Sequence, residues 1–204
     1  MRAIVREAEH LALLACLCAP IAAFAGAQAY EPLALSVQAA LSKAVSDRAP
    51  PISAFNSKLD EVEWLTTMSR RLDTRIRDHK TRIAFLKSVH YEASRAGLHP
   101  QLVLGLIQVE SGFKKYAVSS AGARGYMQVM PFWLKLIGAR GDNLFDMRKN
   151  IRYGCTVLRH YVDLEKGDLY RALGRYNGSL GRPQYPRAVE AAWKHQWHYH
   201  GKLA

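Results

Sequence analysis

PQLVLGLIQVESGF, residues 100–113, carries the clearest helix signal in the chain together with a carboxylate on its apolar face. Pro100 opens it and Gly112 closes it, the pairing expected at the two ends of a single helix. Within it Val103, Ile107 and Glu110 fall at i, i+4 and i+7, so a carboxylate shares the stripe whose other members point into a core. A charged carboxylate on such a face is expensive unless it is paired or neutral. Desolvation raises the pKa of a carboxylic acid, and a raised pKa is what a general acid needs near neutral pH. Periodicity leaves a second reading open, in which Glu110 reaches solvent because the helix stops at Gly112.

Working outward, residues 82–96 read as a helix ended by Gly97 in a left-handed cap. A glycine-rich loop spans 119–125, a helix follows near Pro131, and another covers roughly 148–164. Gly167-Asp168 is the next break, and Asp168 can cap a helix carrying Leu169, Ala172, Leu173 and Tyr176. Upstream, Leu59, Val62, Leu65 or Thr66, Met68, Leu72 and Ile76 recur at spacings of three and four. They predict a long helix over 56–79 that shields the following domain. A short helix at 33–45 and the Pro50-Pro51 stretch precede it. No segment shows a convincing period of two. The expected class is therefore all-α: a linker and long helical appendage over 30–80, a helical domain over 81–192, and a basic aromatic tail over 193–204.

The N-terminus reads as a signal peptide over 1–29, with Arg2 and Arg6, an apolar run over 11–25 and the Ala27-Gln28-Ala29 cleavage pattern. That implies a periplasmic or otherwise exported location. Leu13-Leu14-Ala15-Cys16 resembles a lipoprotein processing site, but only five apolar residues precede Cys16, so an outer-membrane lipoprotein ranks second. Export would remove Cys16 and Cys18 and leave Cys155, whose spacing with Ile151, Leu158 and Val162 marks a small core residue. No later run of about 18 apolar residues predicts a membrane span in the mature chain. Lys and Arg total 29 against 17 Asp and Glu, a net charge of +12. In an exported chain this favours an anionic envelope polymer or membrane surface over nucleic acid. His195, His198 and His200 match no trusted zinc spacing, so no metal is expected, and no cofactor.

The chemistry gathers in three places. After the Glu110-Ser111 pair comes SSAGARGYMQVMP, residues 119–131, where Gly122 and Gly125 permit tight backbone geometry and close approach of a sugar ring. Gln128 can donate and accept hydrogen bonds, while Met127 and Met130 read first as core residues. RYNGSLG, residues 175–181, then pairs the aromatic Tyr176 with the amide Asn177. An aromatic face, amides and a lone acid suit a carbohydrate cleft.

These blocks, with NIRYGCTVL at 150–158, resemble the soluble lytic transglycosylase family of bacterial cell-wall enzymes, whose fold is similar to goose-type lysozyme. The resemblance covers roughly residues 82–190. It implies Glu110 as catalytic acid/base and Ser119 as a residue that positions substrate. It implies that Gln128 and Met130 line the glycan cleft, with Tyr176 and Asn177 facing the acid from a later helix. Two departures leave subsite details open: Tyr126 stands where the family usually has Leu, and GRYNGSLGRP replaces a commoner small-residue version.

Most glycosidases use two carboxylates. Here the motifs offer one, and Asp142, Asp146 and Asp163 read as solvated or capping residues. The resemblance implies substrate-assisted cleavage of the bond between N-acetylmuramic acid and N-acetylglucosamine, closing a 1,6-anhydro ring without water. A hydrolytic muramidase of the same fold is one rival. Another is a non-catalytic module that binds glycan strands or a secretion or pilus assembly through the basic surface and the helix at 56–79.

Overall fold

The computed structural model describes residues 28–46, 55 and 57–200. The signal-peptide reading up to residue 27, the Pro50-Pro51 stretch and residues 201–204 lie outside the described residues. Among the described residues eight α-helices follow in order: α1 Leu35–Ser46, α2 Lys58–Leu72, α3 His79–Arg95, α4 Pro100–Ser111, α5 Phe132–Ile137, α6 Met147–Leu164, α7 Leu169–Asn177 and α8 Gln184–Ala191. A π-helical turn, Ala192–Gln196, continues α8. The class is all-α as expected, and the described extended pairings are isolated bridges of Arg124 with Val118 and Val129. No helix of the described residues is long and apolar enough to cross a membrane.

The centre of the fold is α4. Its residues from Pro100 to Ile107 are all buried, so this helix is enclosed rather than amphipathic. It is enclosed by α3, α8 and the π-helical turn. Gly105 permits the closest of these approaches, because a Cβ there would stand 2.9 Å from the backbone nitrogen of Trp193. Trp197, in the segment read as a tail, is buried and donates its Nε1 hydrogen to Gln108 Oε1 at 2.9 Å.

The pattern read as one helix over 56–79 divides in two. The chain leaves α2 after Leu72, whose carbonyl accepts from both Arg75 N and Ile76 N as the turn closes. Asp78 then caps α3 by accepting from Thr81 N at 2.7 Å. Ile76 keeps the apolar rhythm because it is buried from the turn, which the period alone could not separate from helix. α2 packs on α3 through Trp64, Met68 and Leu72, all 0% exposed. Arg82 of α3 ties the turn down by donating to Ser69 Oγ, Ile76 O and Arg77 O.

Glu92 of α3 joins α3 to α6. It is 0% exposed and receives Arg152 at 2.7 Å, Arg95 at 3.1 Å and Arg148 at 3.3 Å. Arg95 also donates to Ala44 O of α1, which extends the cluster to the N-terminal helix.

Candidate active site

Glu110 lies in the last turn of α4, one residue before its end at Ser111 and two before the left-handed Gly112 with φ 56°. Of the two readings open from the sequence, the structure gives the buried one, with 5% exposure. The cause is α8, whose Tyr185 hydroxyl donates to Glu110 Oε1 at 2.5 Å. Oε2 is buried without a hydrogen-bond partner among the described residues. Burial pushes the carboxyl up to about 8, against a smaller opposing effect of the Tyr185 hydrogen bond. The acid is thus protonated at neutral pH, and because Tyr185 donates to Oε1, its proton belongs on Oε2. Burial and the field of Glu110 push the Tyr185 and Tyr176 phenols well above their ordinary values, so both stay neutral.

A cavity of about 590 Å³ opens beside the acid. Its lining includes Glu110 and Ser111, the polar Ser119 and Gln128, and the cations Arg75 and Lys114. Among the described residues Glu110 is the one carboxylate in this lining. Asp142 is held by Lys149, by the Tyr153 hydroxyl at 2.5 Å and by Ala139 N at 3.1 Å. Asp146 caps α6 and Asp163 is a solvated partner of Arg159, as the sequence suggested, whereas Asp142 is neither solvated nor a helix cap but an enclosed anchor for the turn before α6.

The wall over 117–129 is fixed from several sides. Asn150 of α6 accepts from Met127 N at 2.8 Å and donates to Arg124 O and Leu144 O. Ser111 Oγ donates to Tyr126 O at 2.7 Å, and Tyr176 donates to Met127 O at the same distance. Gly125 has φ 76°, and a Cβ there would fall 2.5 Å from Leu144 O and 2.4 Å from Asn150 Nδ2. Only glycine fits both the conformation and the space. The loop is therefore preorganised before any ligand arrives.

Of the residues singled out in the sequence, the cavity brings together Glu110, Ser119 and Gln128. Gln128 spends its amide nitrogen on Ala117 O and Gly125 O, leaving its side-chain oxygen for a ligand. Ser119 Oγ accepts from Ala123 N at 3.1 Å. Met130, Tyr176 and Asn177 lie outside that lining. Tyr176 is a fully buried brace behind the loop, and Asn177 is buried with Nδ2 unpartnered among the described residues. Met130 donates its backbone N–H to Gln28 Oε1 at 3.2 Å. Gln28 is itself 3% exposed and also accepts from Trp133 Nε1 at 3.0 Å. The expected processing point at Ala29 thus falls one residue inside a segment that the fold uses. Tyr185 and Arg75 stand in no motif, and the sequence offers no local signal for either.

The description "Transglycosylase SLT domain" belongs to a family model that matches residues 87–196. Among curated proteins, a transglycosylase of Enterobacteria phage PRD1 is 34% identical over 93 residues, 46% of this chain and 34% of that one. Membrane-bound lytic murein transglycosylase C of Mannheimia succiniciproducens is 39% identical over 83 residues, 36% of this chain and 23% of that one. The protein of the same description from Yersinia pestis is 34% identical over 113 residues, covering 48% and 32%. The chain spans about a third or less of the length of these relatives. Among solved structures, an inactive mutant of the lytic transglycosylase Slt from Pseudomonas aeruginosa aligns at 24% identity with a TM-score of 0.44. That alignment covers 63% of this chain and 23% of the other.

Proposed function

Because the chain belongs to the transglycosylase SLT domain family, we propose that it is a lytic transglycosylase that cuts the glycan strands of peptidoglycan in the cell envelope. The relatives described as transglycosylases, murein transglycosylases among them, support the substrate class. The observation that carries the reaction is the single buried carboxyl in the cavity. Glu110, neutral by desolvation, donates its proton to the glycosidic oxygen of the scissile bond. The adjacent N-acetyl carbonyl of the muramic acid stabilises the positive charge that develops at C1. Glu110, now ionised, takes the proton of the C6 hydroxyl as that oxygen closes on C1. The product is a 1,6-anhydro end, with one proton returned to the enzyme and no water consumed. Tyr185 holds the carboxyl in place and donates to its charged form between the two proton transfers.

Two readouts test this. Turnover of purified peptidoglycan should release fragments without a matching rise in free reducing ends, whereas a hydrolase creates one reducing end for every cut. The pH dependence of kcat/KM should be flat through neutrality and fall with unit slope above about pH 8, where Glu110 loses its proton. A rise in reducing ends equal to the cuts overturns the anhydro product. A fall centred near the ordinary carboxylate value overturns the assignment of the acid.

A further inference from the structure

The cavity beside Glu110 carries more charge than an uncharged sugar chain requires. Its lining includes Arg75 and Lys114, and no described carboxylate pairs with either cation. Arg75 rests on Phe113, which precedes Lys114, follows Gly112 and takes a left-handed φ of 67°. That ring is 3% exposed and wedged between Phe85 at 5.9 Å and Trp197 at 5.3 Å. The Arg75 guanidinium lies over it at 5.4 Å, a cation–π contact that orients the planar fork before a ligand binds. Lys114 is the next residue, and its backbone N–H is tied to Ser111 O at 3.2 Å. Arg75 itself comes from the turn after α2, outside the residues that match the family model. The appendage therefore contributes a functional group to the cleft as well as covering the core.

We propose that Arg75 and Lys114 form a carboxylate subsite that receives the free carboxylates of the peptide stems on the glycan strand. This rests on the cavity being a glycan cleft. The chemistry favours it because muropeptide stems end in carboxylates while the sugar hydroxyls and acetamido groups are neutral. A guanidinium pinned by an aromatic ring presents two parallel N–H donors at low entropic cost, and the neighbouring ammonium adds a point charge. Two cations in the cavity lining with no carboxylate partner among the described residues also raise the local concentration of an anionic substrate. Strands whose stems keep their carboxylates are the preferred substrate, and the preference is set by a residue of the N-terminal appendage.

The test is binding, measured calorimetrically on the Glu110→Gln chain, which is expected to hold strands without cutting them. The ligands are a soluble tetrasaccharide bearing its peptide stems and the same compound with the stem carboxylates amidated by methylamine. Amidation should raise Kd by about tenfold. Arg75→Gln should weaken binding of the unmodified ligand by a similar factor and leave the amidated ligand unchanged, and Lys114→Gln should act in the same direction. Arg75→Lys should recover part of the loss. Equal affinity of the parent chain for the two ligands overturns the proposal, as does an equal loss on both ligands in Arg75→Gln, or no binding of either. Charge-dependent binding with no cleavage by the unaltered chain would instead count against the proposed reaction and leave this subsite standing.

Discussion

Replacing Glu110 by Gln lowers turnover of purified peptidoglycan by on the order of 10³- to 10⁴-fold, because one group serves as both acid and base. The amide keeps the shape and can accept from Tyr185 as the carboxyl does at 2.5 Å, but it cannot deliver a proton. The same change does not destabilise the fold, and above acid pH it stabilises it. The carboxyl is raised from 4.5 to about 8 in the folded chain, so the native state holds a proton that the unfolded state has released between those values. The stability contributed by this neutral carboxyl is fully present below about pH 4.5 and is lost as pH rises toward 8. The loss from this group runs at about 1.4 kcal/mol per pH unit within that window. Glu110→Gln escapes it, so the two denaturation curves should nearly coincide at pH 4 and separate progressively by pH 8. Curves that stay parallel across this range would mean that the carboxyl is solvated and not a neutral buried acid.

The second large effect lies away from the cavity. Glu92→Ala should lower stability by about 3–5 kcal/mol, the range found when one partner of a buried ion pair is removed. Glu92 is fully buried, and Arg152, Arg95 and Arg148 converge on its carboxylate. Alanine leaves a void and strips three guanidiniums of their shared counter-charge, with Arg152 only 5% exposed. In a chain of this size the change corresponds to a fall in Tm of roughly 6–20 °C, readable by far-ultraviolet circular dichroism. Glu92→Gln, which retains hydrogen-bonding capacity, should lose less. A fall below about 1 kcal/mol for Glu92→Ala would mean that solvent replaces the carboxylate without penalty.

How much of this was open to the sequence depends on whether the signal is local. α4 was legible because its two ends are marked by Pro100 and Gly112 and its stretch from Leu102 to Ile107 carries no polar side chain. α7 was legible because Asp168 caps it, accepting from Arg171 N at 3.0 Å. The all-α class follows from such local markers. Glu92 was not legible, since Arg148 and Arg152 reach it from another helix, 56 and 60 residues away. The same holds for Tyr185, which meets Glu110 across 75 residues. Ile76 misled the helix boundary because burial from a turn and burial from a helix leave one apolar mark.

The motif residues divide in a related way. Tyr126, the departure from the family's usual Leu, is 3% exposed and packs on Phe85 at 4.9 Å, so the change belongs to the core. Gln128 looks from its type like a ligand for sugar amides, yet its nitrogen closes the loop on Ala117 and Gly125. Residue type announces hydrogen-bonding capacity, and only the fold decides how much is already used.

In the proposed reaction Glu110 alone performs the proton transfers and the sugar's own hydroxyl, not water, attacks C1. This is tested most directly by digesting purified peptidoglycan in ¹⁸O-labelled water and weighing the fragments by mass spectrometry, with Glu110→Gln alongside. The expected fragments are one water lighter than their reducing-end counterparts, carry no ¹⁸O from the cut, and are absent with the variant. Fragments of full mass bearing one ¹⁸O at the new reducing end would contradict it, because they require water in place of the C6 hydroxyl as the nucleophile at C1.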